Sequence, residues 1–144
     1  EAYECLFKLA NTWDLEATNT VMVLVADSVP HGMNIRGIID DGCPDKVDWK
    51  KELDALKKKL KGFYFISCSN EGVMKRNQRK MADDEEHFVE LGDNFSRLTN
   101  VIHGIIAKEL GSIDEYLKHL NTTRGVARAD EVKTLLKTKT TKTK

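Results

Sequence analysis

The apolar positions of the chain form one continuous run and several periodic ones. The run is Val21 to Ala26, VMVLVA, followed at once by Asp27, Ser28, Val29, Pro30, His31 and Gly32. An unbroken apolar run of this length predicts a strand buried on both faces, the pattern of a parallel sheet covered by helices. Phe63 to Ser67, FYFIS, predicts a second short strand rich in aromatics. His87 to Leu91, HFVEL, alternates and predicts a third, half exposed and at a sheet edge.

The other segments carry helical spacing. Over residues 1–12, Ala2, Leu6, Leu9, Ala10 and Trp13 predict an amphipathic helix. Residues 28–45 form a long connection holding both prolines, with Ile35, Ile38 and Ile39 spaced for a short helical turn. Trp49, Leu53, Leu56 and Leu60 share one face of a helix over roughly 46–61, capped by Asp45 or Asp48, clothed in lysines and stopped by Gly62. Residues 70–86 are polar, with Met74 and Met81 as apolar points, and predict a poorly defined helix or a mobile connection. Phe95, Leu98, Val101, Ile102, Ile105, Ile106 and Leu110 make a wide stripe on a helix that Gly111 stops. Ser112 to Glu115 is a capping-box pattern opening a helix through about Leu120, which Asn121 to Gly125 breaks. Val126, Val132, Leu135 and Leu136 predict a last helix over 126–137, before a Lys/Thr-rich tail.

Strands alternating with helices predict an α/β domain: part of a doubly wound, mainly parallel sheet, with about three strands and flanking helices. Three parallel strands leave two edges and a small core. With a chain that opens on Glu1 inside a helical pattern, this predicts a fragment of a longer protein. The fragment on its own is expected to be unstable, because an open sheet edge invites aggregation.

Charge narrows the function classes. Lys and Arg total 23, as do Asp and Glu, so the net charge of the 144 residues is zero. Broad electrostatic capture of nucleic acid or an anionic membrane is not expected. Cys5, Cys43 and Cys68 are odd in number and widely spaced, which points to a reducing compartment, the cytoplasm, rather than a disulfide framework. No run of eighteen apolar residues is present.

The residue that chemistry selects first is Asp27, a carboxylate at the carboxyl end of a strand, where open α/β sheets bind ligands. Many such aspartates only cap turns. His31 reads as a ligand, a base or a hydrogen-bonding loop residue. His31, Asp40, Asp41, Cys43, Asp45 and Asp48 share one segment, but their spacing fits neither a zinc finger nor an EF-hand. The plainer reading is a solvated acidic loop with a helix cap. Nothing in the sequence ties Cys43 or Cys68 to a histidine, so neither reads as a nucleophile. Asn121-Thr-Thr123 matches a glycosylation sequon without a secretory signal, and the DDEE run at 83–86 reads as surface. No phosphate-binding glycine loop, GxSxG or kinase signature occurs.

The stretches VMVLVADSVPHG, DGCPDKVDWKKELDALKKK and GFYFISCSN together resemble the second half of a von Willebrand factor type A domain. The resemblance is to the intracellular kind found beside atypical α-kinases. It rests on Ala26, Asp27, Pro30, His31 and Gly32, then Asp41, Gly42, Pro44 and Asp45, then Asp48 and Trp49. Val29 stands where a second proline is common. The resemblance implies that residues 1–111 are the carboxyl-terminal half of such a domain, with 112–137 a helical extension and 138–144 a disordered tail. It also implies a Rossmann-like sheet of about six strands and a cation site shared by an Asp-x-Ser-x-Ser motif, a threonine and an aspartate. Only the aspartate has a counterpart here, Asp27, so Mg²⁺ is expected in the intact domain only.

The expected function is a non-enzymatic protein-protein interaction module, binding a protein partner through the loops at the strand carboxyl ends with divalent-cation assistance. Two alternatives stand beside it: the regulatory domain of a signalling enzyme such as an atypical protein kinase, and a nucleotide- or phosphate-binding α/β domain.

Overall fold

A computed structural model describes residues 3–33 and 42–137. The expected helical turn at Ile35, Ile38 and Ile39, Asp40 and Asp41, Ala2 and the 138–144 tail lie outside the described residues. The described chain is mixed α/β, with six α-helices and a three-stranded parallel sheet. Its packing divides into Glu1–Asp93 and Asn94–Lys144. Among the described residues, no helix is long and apolar enough to cross a membrane.

The first unit holds the sheet. Strands β1 (Val21–Ala26), β2 (Gly62–Ser67) and β3 (Phe88–Glu90) lie in that order, with Val21 beside Gly62, Ala26 beside Ser67 and Phe65 beside Phe88. Parallel neighbours need crossovers, and helices α2 (Trp49–Lys57) and α3 (Gly72–Arg79) lie in them. Helix α1 (Tyr3–Ala10) precedes β1 and packs against α2. The core gathers Phe7, Ala10, Leu53, Leu56, Phe63, Phe65, Met81 and Phe88.

Burial redistributes the roles expected of the strands. Every residue of β2 is buried, because it alone has a strand on either side. In β1 only Ala26 is buried and Val25 is 36% exposed, so the run read as buried on both faces is an edge of the described sheet. Conversely, β3 is not half exposed. Phe88 and Val89 are fully buried, and the Arg79 guanidinium lies 4.7 Å from the Phe88 ring centre.

Helix α1 turns a different face inward from the one its leucines suggest. Tyr3, Glu4, Phe7 and Ala10 are buried, while Leu6, Leu9 and Trp13 are each more than half exposed. Phe7 sets the orientation by meeting Phe63 edge to face at 6.2 Å. Helix α2 is shorter than expected. Asp48 caps it by accepting from the Lys50 and Lys51 amides. Gly62 does not end it but begins β2, because the Lys61 amide already donates to Thr20 O at 2.8 Å. The polar stretch 70–86 contains a regular helix, α3, which buries Asn77 and Gln78.

The second unit is helical. A 3-10 turn at Phe95–Arg97 leads into α4 (Leu98–Glu109), α5 (Ile113–Arg124) and α6 (Val126–Leu135). The division by packing falls before α4. The stripe of α4 is buried at Val101 and Ile105, but Phe95, Ile106 and Leu110 are at least half exposed. Gly104 lets α6 approach: a Cβ there would lie 2.5 Å from Leu136 Cδ1 and 3.2 Å from Val132 Cγ1. Ser112 makes no capping bond to α5, because its hydroxyl donates back to Ala107 O. Asn121 to Arg124 stays helical, with the Thr122 and Thr123 hydroxyls donating to the carbonyls of Lys118 and His119. Gly125, at φ +89°, makes the break alone.

Candidate functional site

The carboxyl ends of β1 and β2 bring the site together. Beyond Ala26, Asp27 is exposed, while Val29 and Pro30 turn back into the protein. The Cys68 amide donates to Ala26 O at 2.8 Å, which sets the end of β2 beside Asp27. Burial, helped by the Asp27 charge, pushes the Cys68 thiol up.

Gln78 fixes this end of the sheet. Its fully buried side chain accepts from Ser67 Oγ at 2.6 Å and donates to Ser28 O at 2.9 Å. A buried amide satisfied at both ends locks two strand termini to α3. From the other side, Tyr3 Oη and Ser28 Oγ share a hydrogen bond of 3.2 Å. The loop after β1 is thus held from α1 and from α3.

Below that loop lies a buried carboxylate. Glu4 is fully buried on the inward face of α1. Its Oε1 is 2.6 Å from His31 Nδ1. Burial works against the charge, but the His31 hydrogen bond, with help from its own backbone and Cys43, outweighs it and holds the Glu4 carboxyl below its usual range. As a carboxylate it only accepts, so Nδ1 carries the hydrogen of that bond. Glu4 Oε2 is buried with no hydrogen-bond partner among the described residues. A desolvated oxygen in that state is costly and calls for a compensating positive group.

Two thiols stand beside it. A Glu4 carboxylate oxygen, Cys5 Sγ and Cys43 Sγ all lie within 4.8 Å of one another. Successive helical residues point about 100° apart, so α1 sends Glu4 inward and Cys5 to its flank. Cys43 comes from a turn closed by the Lys46 amide on Cys43 O at 2.8 Å. Pro44 supplies the preset φ that such a turn favours at its second position. The same turn brings Asp45 Oδ2 to 3.8 Å from Cys5 Sγ. Burial and the neighbouring Cys43 push the Cys5 thiol up. An open depression lined by Cys5, Lys8, Leu9, Thr12, Asp45 and Val47 gives solvent a way to Cys5.

The structure therefore sorts the residues that the sequence singled out. Asp27 stands exposed at the strand end, and it is not one of the groups gathered around Glu4. His31 and Cys43 meet at Glu4, and Asp45 joins them through Cys5. Asp48 is occupied as the cap of α2. Within the DDEE run, Asp83 accepts from the Phe63 amide at 2.8 Å and Asp84 from the Glu86 and His87 amides. Glu4 and Cys5 were not singled out. The usable signal was a glutamate three residues before Phe7, on the same helical face.

No family model, curated protein or solved structure matches this chain.

Proposed function

We propose that the 1–93 unit is a non-enzymatic protein-interaction module of the cytoplasm, part of a Rossmann-like type A domain. It engages a protein partner through the loops at the strand carboxyl ends. The observation that carries this reading is Asp27: an exposed carboxylate at the end of a parallel strand, on a loop braced by Tyr3, Gln78 and Glu4. Bracing lowers the ordering cost of binding, because the loop is already held when the partner arrives.

Asp27 fits the resemblance as one hard oxygen ligand, and no lysine or arginine pairs with it among the described residues. Mg²⁺ takes one or two carboxylates, keeps several waters and leaves room for a partner's oxygen. One carboxylate holds it weakly, so the intact domain and the partner supply the rest of the shell.

The test is capture of partners on the full-length protein, with Mg²⁺ and with a chelator, for the wild type and Asp27→Ala. Retention that needs Mg²⁺ and is lost in the variant is expected. Retention indifferent to both would overturn the reading.

A further inference from the structure

We propose that Glu4, Cys5 and Cys43 form a Zn²⁺ site, separate from Asp27, that clamps α1 to the turn at Cys43–Lys46. The donor set decides the metal. Two thiolates and one carboxylate are ligands for zinc, whereas Mg²⁺ and Ca²⁺ want oxygen alone.

Distances permit it. Tetrahedral zinc with Zn–S bonds near 2.3 Å sets its sulfurs about 3.8 Å apart, so a group within 4.8 Å contracts by about 1 Å at most. The Asp45 carboxylate is 3.8 Å from Cys5 Sγ but outside that group, so the fourth position falls to water. His31 hydrogen-bonds the Glu4 carboxylate through Oε1, the kind of outer hydrogen bond that orients metal ligands.

The independent sign of a cation is Glu4 itself. Glu4 is fully buried, its Oε2 has no hydrogen-bond partner among the described residues, and one oxygen of its carboxylate lies within 4.8 Å of both thiols. A Cys5–Cys43 disulfide would leave the buried carboxylate without a cation, whereas Zn²⁺ supplies one. On binding, each thiol gives its proton to solvent and the sulfur pair bonds the metal, with no change of oxidation state. The partial exposure of both cysteines leaves the site open to loading.

The clamp joins residues far apart in sequence and closes the connection whose ends, Gly32 and Gly42, already meet: a Cβ on Gly32 would lie 4.0 Å from Gly42 Cα. Metal bound only by the folded state stabilises it by mass action.

The experiment uses the reduced chain. Co²⁺ is added first, as a coloured substitute for zinc. One Co²⁺ per chain is expected, with thiolate-to-cobalt charge-transfer absorption and a tetrahedral visible band, both displaced by Zn²⁺. Cys5→Ser and Cys43→Ser abolish the bands, Glu4→Gln weakens binding by at least about tenfold, and Cys68→Ser changes nothing. A second measurement needs no variant. Iodoacetamide labelling read by mass spectrometry should show Cys5 and Cys43 protected by Zn²⁺ while Cys68 labels at the same rate with or without it. Absence of thiolate bands at equimolar Co²⁺, or equal labelling of Cys5 and Cys43 with and without Zn²⁺, overturns the proposal.

Discussion

Glu4 Oε1 and His31 Nδ1 are 2.6 Å apart, and they tie the first turn of α1 to the loop that leaves β1. Glu4 is fully buried and His31 is 31% exposed, so the carboxylate depends on the imidazole more than the reverse. Removing the partner of a buried charge costs more than removing the charge. In chelator-treated protein, His31→Ala should lose about 2 kcal/mol in urea unfolding, and His31→Ala in a Glu4→Gln background clearly less. Equal losses in the two backgrounds would mean that the pair is not coupled.

The inward face of α1 can be tested directly. Phe7→Ala removes a ring packed on Phe63 and should cost about 3 kcal/mol. Leu9→Ser, on the exposed side, should change stability by less than about 0.5 kcal/mol. Chemical denaturation of both variants decides which face is buried. A large loss at Leu9 with a small one at Phe7 would restore the face that the leucine spacing suggests.

What the sequence conveyed here was local. The run Val21 to Ala26 reads as a strand and is one, since six consecutive apolar side chains leave little else. Its place in the sheet was not legible, because periodicity reports burial only through neighbours that lie elsewhere in the chain. FYFIS, no more apolar to the eye, is the strand with partners on both sides. Gln78 reads as surface until Ser67 and Ser28 meet it. The cluster at Glu4 was illegible for the same reason: Cys43 and His31 arrive from a different segment, and no spacing rule links them to Cys5. Asp48, by contrast, was legible as a cap, because capping is decided within four residues.

In the helical unit, Gly104 is a close-approach position. Gly104→Val would drive two methyls into Leu136, Val132 and Tyr116, and overpacking of this kind costs roughly 1–3 kcal/mol. Valine brings little helical propensity to offset it. Thermal unfolding followed by circular dichroism should show the loss, and an unchanged midpoint would mean that α6 does not rest on α4 there.

Asp84 supplies a pH dependence. The His87 hydrogen bond, against slight burial and with the Glu86 and His87 amides, holds its carboxyl below its ordinary value near 3.8. A depressed carboxyl stabilises above its unfolded value, and the contribution is lost as pH falls through the folded one. Wild type should therefore exceed Asp84→Asn in stability at pH 5, with the gap closing below pH 3.8. Urea unfolding across that window checks it, and a gap that widens on acidification would reverse the sign.

The most direct measurement for the proposed interaction module is calorimetric titration of Mg²⁺ into the full-length domain, with and without Asp27→Ala. Binding heat in the wild type that disappears in the variant is the predicted result. The same heat in both would remove Asp27 from the cation site and contradict the cation-assisted role assigned to the strand ends.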